Sequence, residues 1–171
     1  MIIRICQPGE EKEILAVIND GAEAYRGIIP SDCWKEPYMD ARELTVEIAS
    51  GVVFWCADEE GKVAGVMGLQ HVEDVALIRH SYVRRSSQGR GIGTSLLEKL
   101  IGETESAVLA GTWESAKRAH GFYVRNGFTL LAQNEWSILL KRYWSISPRQ
   151  METSVVLGDG RWCTDRGSGR I

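Results

Sequence analysis

The segment Gln88-Gly89-Arg90-Gly91-Ile92-Gly93 is the place where residue type and spacing point most directly to chemistry. Glycines at alternate positions let a ligand approach the backbone and leave several N–H groups uncovered. The apolar spacing that follows, Ile92, Leu96, Leu97, Leu100 and Ile101, is helical. A helix N-terminus therefore adds its positive end to the uncovered amides, which together form an anion nest. Arg79, Arg84, Arg85 and Arg90 precede or enter this loop, and no Asp or Glu lies between residues 79 and 90. The stretch carries four positive charges in a chain of net charge −3. A phosphate or pyrophosphate fits it. The glycine spacing differs from the dinucleotide fingerprint, and no Gly-Lys-Ser or Gly-Lys-Thr follows as in a P-loop.

The remaining chemistry-bearing residues are scattered. Cys6, Cys33, Cys56 and Cys163 contain no C-x-x-C, and His71, His80 and His120 form no spaced set, so no metal site is expected. Composition sets the frame: 171 residues, 44% hydrophobic and 25% charged. Such a chain buries roughly 70% of its extended surface, enough for a core without metals or disulfides. The slightly acidic balance argues against a broad nucleic-acid-binding face. No apolar run of membrane-spanning length occurs, and the N-terminus turns acidic too early for a signal peptide. A cytoplasmic location is the expectation.

The elements that must hold the loop follow from periodicity. Strands are expected over 2–6, 52–57, 62–70, 75–83, 107–113, 128–132 and 151–157, and helices over 10–20, 39–49, 92–101, 115–125 and 134–144. Asn134 is the expected cap of the last helix. Short polar turns join the strands between 52 and 83, which reads as an antiparallel meander. The helix between strands 75–83 and 107–113 reads as a parallel crossover. Together these describe one α+β domain over 1–157. The last fourteen residues, GDGRWCTDRGSGRI, read as a flexible tail over 158–171.

The loop, with the strand VALIRHSYV before it and the helix after it, resembles the GNAT superfamily of acetyl-CoA-dependent N-acyltransferases. In that family a Gln/Arg-x-x-Gly-x-Gly/Ala segment binds the pyrophosphate of coenzyme A. Downstream, AKRAHGFYVRNGF resembles a second family signature through Ala119, Phe122, Tyr123, Gly127 and Phe128. The resemblance covers about residues 2–132. It implies a mixed central sheet flanked by helices. It implies acetyl-CoA as donor, held by Val83, Gln88, Gly89, Arg90, Gly91, Ile92 and Gly93, with Arg84 and Arg85 near the phosphates. The family often carries Asn at the position of Ala116; Trp113 or Glu114 would take over its contact here.

The chemistry asks for a neutral amine, a partner for the thioester oxygen and a proton for the departing thiolate. The resemblance assigns the backbone near Val83 to the cofactor and the Tyr123 phenol to the thiolate. Glu23 and His80 are the leading candidates for the base. The aromatic segment AYRGIIPSDCWKEPY at 24–38 is the expected acceptor wall. The expected partner is an amine-bearing small molecule or a peptide N-terminus, with homodimerisation and with neither nucleic acid nor membrane. An acyl-CoA-binding regulator on the same fold is the competing reading.

Overall fold

A computed structural model describes residues 1–167. Among the described residues seven strands form one sheet in the order β1-β2-β3-β4-β5-β7-β6. The strands are β1 (Ile2–Ile5), β2 (Val53–Glu59), β3 (Lys62–Val72), β4 (Val75–Val83), β5 (Ala107–Trp113), β6 (Thr129–Leu130) and β7 (Ser154–Gly158). β1 to β4 pair antiparallel, β4 and β5 parallel, and β5, β7 and β6 antiparallel. The sheet is thus mixed and flanked by helices, with the expected meander and parallel crossover.

Among the described residues seven α-helices accompany it: α1 (Glu11–Ala22), α2 (Ala41–Ala49), α3 (Ile92–Gly102), α4 (Lys117–Arg125), α5 (Gln133–Tyr143), α6 (Pro148–Glu152) and α7 (Gly160–Gly167). Alternation along β4 assigns its faces. Ala76 and Ile78 pack with Ile92, Leu96, Leu97 and Leu100 of α3 and with Tyr123 of α4. Val75 and Leu77 pack on the other face with Leu139, Leu140 and Tyr143 of α5 and Trp162 of α7. Ile14, Val17 and Ile18 of α1 and Leu44 of α2 cover that second face farther along, over Phe54, Cys56 and Val66. Each fully buried leucine in these layers contributes about 1.5–3 kcal/mol relative to exposure. The second face therefore carries two separate helix groups.

Three sequence expectations need correction. The strand expected over 151–157 begins only at Ser154, because Ser147 caps a short helix entered through Pro148. Asn134 does not cap α5: the N-cap is Ala132, whose backbone N–H donates to Glu135 Oε2 at 3.1 Å. The first part of the supposed flexible tail is structured. Gly158 completes β7, Asp159 accepts from the Trp162 backbone N–H at 3.0 Å, and Trp162 is buried against β5 and β7. The glycines that suggested mobility instead allow this tight turn; a Cβ on Gly158 would lie 2.6 Å from the Trp162 ring. Residues 168–171 of that segment lie outside the described residues.

Candidate active site

β4 is interrupted where the site begins. Its register with β3 shifts between Gly68↔Arg79 and Val66↔Tyr82, so two residues, His80 and Ser81, stand opposite Met67 alone. This is a β-bulge, and His80 takes a left-handed φ of 49° to make it. The bulge inverts the alternation beyond it. Tyr82 now joins the α1–α2 side, and Val83 turns to the α3 side. Pairing of β4 with β5 also ends just before it, at Ile78↔Ala110. β5 continues beside β7 to Trp113. The two central strands therefore part from Arg79 onward, and a cleft of roughly 1790 Å³ opens there.

The glycine loop borders one side of this cleft. Val83, Gln88, Gly89, Gly91, Ile92 and Gly93 all line it. Gly89 and Gly91 have φ of 78° and 79°, and a Cβ on either would meet nothing within 4 Å. Their glycine identity thus serves backbone conformation and leaves the surface bare for a ligand. Gly91 is also the N-cap of α3. Gly93 has another reason: a Cβ there would lie 3.2 Å from the Phe122 ring, so it lets α3 and α4 approach. The Gln88 side chain donates to the Val83 carbonyl at 3.1 Å and ties the loop back to β4.

The arginines expected beside the phosphates are engaged elsewhere. Arg84 pairs with Glu13 at 3.0 Å, Arg85 with Asp20 at 3.1 Å and Arg90 with Glu59 at 2.8 Å, and none of the three lines the cleft. Their charge, continuous in sequence, is offset by carboxylates from α1 and β2. Lys117, Arg118 and Arg125 line the cleft from α4, the helix whose Phe122 packs against Gly93 of the loop. Among the described residues none of these three forms an ion pair. The KR pair at 117–118 was their sequence signal.

Tyr123 lines the cleft and is 5% exposed. Its ring packs at 5.1 Å from Phe122 and 5.4 Å from Phe128. Burial pushes the phenol well above its ordinary range, with a smaller contribution from Tyr25, while a hydrogen bond with Ser81 opposes the rise. The group is held protonated. Tyr25 and Tyr82 are raised by burial too, and these rings meet edge-on at 6.1 Å.

The two base candidates separate. Glu23 is held by Arg26 at 2.8 and 2.7 Å and does not line the cleft. It is corrected from site residue to surface ion pair. His80 does line the cleft, and its Nε2 lies 3.0 Å from Glu47 Oε2, tilted off hydrogen-bond alignment. Glu47 also receives Arg79 at 2.7 Å; Arg79 donates to Gln70, and Gln70 to the Ser50 carbonyl. Burial tends to raise the Glu47 pKa, but His80 and Arg79 outweigh it and hold the carboxyl below its usual range. Glu47 escaped sequence analysis because one helical glutamate looks like any other.

The rest of the wall comes from two segments. Tyr25, Cys33 and Tyr38 of the aromatic stretch reach the cleft, whereas Arg26 and Trp34 stack on each other at 4.5 Å outside it. Trp113 lines the cleft and donates to the Tyr38 hydroxyl at 3.0 Å; Glu114 does not line it. Opposite, the chain after α5 supplies Trp144, Ile146, Arg149 and Gln150. Gly111 permits this wall: a Cβ there would stand 3.2 Å from the Trp144 ring. Among the described residues no helix is long and apolar enough to cross a membrane.

Comparison with known proteins agrees with this architecture. No curated protein matches the sequence significantly. A GNAT-family acetyltransferase structure from Staphylococcus aureus Mu50 is similar over 92% of this chain and 97% of its own, with 20% identity and a TM-score of 0.69. The PaiA N-acetyltransferase of Thermoplasma acidophilum, solved in complex with coenzyme A, is similar over 93% and 99%, with 17% identity and a TM-score of 0.67. YncA of Salmonella typhimurium, solved with its cofactor acetyl-CoA, is similar over 77% and 81%, with 20% identity and a TM-score of 0.60. At these identities the likeness speaks for the fold. The sequence model of the acetyltransferase (GNAT) family matches residues 18–128, a span holding the bulged strand, the glycine loop and Tyr123. On that match and this fold, the chain belongs to the GNAT acetyltransferase family.

Proposed function

We propose that this acetyltransferase-family protein moves an acetyl group from acetyl-CoA to a neutral primary amine of a small molecule or peptide N-terminus, by direct attack within a ternary complex. One observation carries the reading. The bulge and parting of β4, the bare glycine loop and a protonated tyrosine all border one cleft. Coenzyme A in one of the similar structures and acetyl-CoA in another support the donor. The loop amides at Gln88–Gly93 and the N-terminus of α3 would hold the pyrophosphate, with Lys117, Arg118 and Arg125 as nearby cations. Donor binding supplies an activated thioester carbonyl; the chain's residues do the remaining work.

His80 is the better base of the two candidates. A carboxylate beside Nε2 favours the tautomer with its proton there, so Nδ1 keeps a lone pair for the amine proton. Glu47 then offsets the charge that His80 gains. Tyr123 donates to the leaving sulfur; a phenol kept protonated by burial suits a thiolate that must gain a proton. Cleft-lining ion pairs, Asp32 with Arg149 and Lys35 with Glu43, balance the acceptor side. The amine is thus not selected by bulk charge.

A turnover screen tests the reading. Acetyl-CoA is incubated with free amines, amino acids, polyamines and short peptides, and both thiol release and product mass are followed. Acetylated amine in step with free thiol is expected. Tight coenzyme A binding with no acetylated product across the panel would favour the non-catalytic regulator.

A further inference from the structure

Away from the cleft, Cys6, Glu10 and Cys56 meet at the turn that leads from β1 into α1. One sulfur or carboxylate oxygen from each lies within 4.8 Å of the other two. Both cysteines are free thiols. We propose that Cys6, Cys56 and Glu10 form a binding site for a thiophilic divalent cation of the zinc type.

The distances suit such an ion. Zinc–sulfur bonds of about 2.3 Å place two sulfurs of a tetrahedral site roughly 3.8 Å apart. With a carboxylate oxygen at about 2.0 Å, a sulfur and an oxygen ligand stand about 3.5 Å apart, so the present set needs to contract by no more than about 1.3 Å. Two thiolates select a soft or borderline metal over magnesium or calcium. Glu10 retains the capacity to ligate. Its Oε2 accepts from Arg4 at 2.8 Å and from the Gln7 backbone at 2.6 Å, whereas Oε1, among the described residues, accepts from Arg4 alone at 2.7 Å. A carboxylate oxygen offers two lone pairs, so Oε1 has one to give. Arg4 also binds Asp58 at 2.8 Å, and it would orient the ligating carboxylate from outside.

The charges close as well. Two thiolates, one carboxylate and a divalent ion sum to −1. Arg4 and the N-terminus of α1, which begins at Glu11, face that charge. Binding breaks two S–H bonds, forms two metal–sulfur bonds and one metal–oxygen bond, and releases two protons. Water completes the fourth position.

A disulfide is the obvious rival, and strand register disfavours it. Arg4 is opposite Cys56, and the Cys6 backbone N–H donates to Phe54 at 2.8 Å. The cysteines are therefore diagonal partners, whose Cα atoms stand about 7–8 Å apart. Bridging beyond about 7 Å requires backbone movement. Cys6 and Cys56 are fifty residues apart in sequence, which is why no ligand spacing announced them.

Cadmium is the probe. The reduced, desalted protein is titrated with Cd²⁺ while thiolate-to-metal charge-transfer absorption and calorimetric heat are recorded, and Zn²⁺ is then added as competitor. One equivalent, reversed by zinc, is expected. Cys6→Ser is the main variant, because Cys6 is partly exposed whereas a serine at fully buried Cys56 risks the fold. Its circular dichroism serves as the folding check. Its affinity should fall by more than the about 10–100-fold that loss of an outer partner costs. Glu10→Gln should also bind more weakly, and Cys33→Ser and Cys163→Ser should bind as wild type. Absence of the band in wild-type protein overturns the site, as does a full band in folded Cys6→Ser. Undiminished affinity in Glu10→Gln overturns the three-ligand assignment. None of these readouts depends on acetyl transfer.

Discussion

Replacing Tyr123 with phenylalanine separates chemistry from packing. The ring and its contacts with Phe122 and Phe128 stay; only the hydroxyl and its hydrogen bond with Ser81 are lost. A net hydrogen bond is worth about 1 kcal/mol. For a chain of this size that lowers Tm by about 2–4 °C. Loss of a proton donor to the leaving sulfur is larger, about 10²–10⁴-fold in rate. At about 1.36 kcal/mol per decade this is roughly 2.7–5.4 kcal/mol of barrier. The two effects differ enough to be told apart. Quench-flow single turnover at saturating acetyl-CoA and acceptor is the right assay, because slow product release would mask the chemical step. Coenzyme A affinity, measured by calorimetry, should change little, since the proton matters at the transition state. A wild-type single-turnover rate in Tyr123→Phe would falsify the acid assignment. Equal losses of rate, cofactor binding and Tm would mean that the residue only packs.

Four further outcomes follow from the geometry. His80→Gln should lower the single-turnover rate by about 10²-fold or more, whereas Glu47→Gln should also cost stability near the lower end of about 3–5 kcal/mol, because buried Arg79 loses its counter-charge but keeps Gln70; urea unfolding checks the difference. Hydrogen bonds from Arg4 draw Glu10 down to about 2, the Arg85 backbone N–H lowers Asp20, and Arg4 lowers Asp58. Since these folded-state values lie below the unfolded ones, their stabilisation is complete above the ordinary carboxylate range and drains away as pH falls toward 2; a denaturation midpoint that stays constant from about pH 5 to pH 2 would contradict this. Gly91→Ala should cost about 1–2 kcal/mol from its left-handed backbone and weaken coenzyme A binding by calorimetry, with unaltered affinity arguing against the loop as the pyrophosphate site. Trp162→Ala should destabilise by about 3 kcal/mol, toward the low end for a buried aromatic, and an unchanged melting curve would return α7 to the status of a tail.

Local pattern carried much of this protein. The meander, the parallel crossover and the three-leucine face of α3 all follow from apolar periodicity, and the glycine loop from residue type alone. What escaped depended on partners distant in sequence. Arg84, Arg85 and Arg90 read as a phosphate patch because Glu13, Asp20 and Glu59, which engage them, lie elsewhere in the chain. Glu47 is ordinary until the bulge brings His80 to it. The bulge itself has no local signature, since neither His80 nor Ser81 is a residue that demands a left-handed turn. Glu23 reads as a candidate base until Arg26, three residues on in the chain, is found to pair with it.

The chain order of the two sides of the cleft has an evolutionary consequence. The loop, the bulged strand and Tyr123 all lie within the span shared with the family, residues 18–128. Trp144, Ile146, Arg149 and Gln150, which face them, come after it. On the proposed reading, exchanges at Ile146, Arg149 and Gln150 alter one wall of the cleft without touching the glycine loop, the bulged strand or Tyr123. Under that proposal, divergence of homologues in this stretch would alter the choice of amine, and a library confined to these positions would test the point.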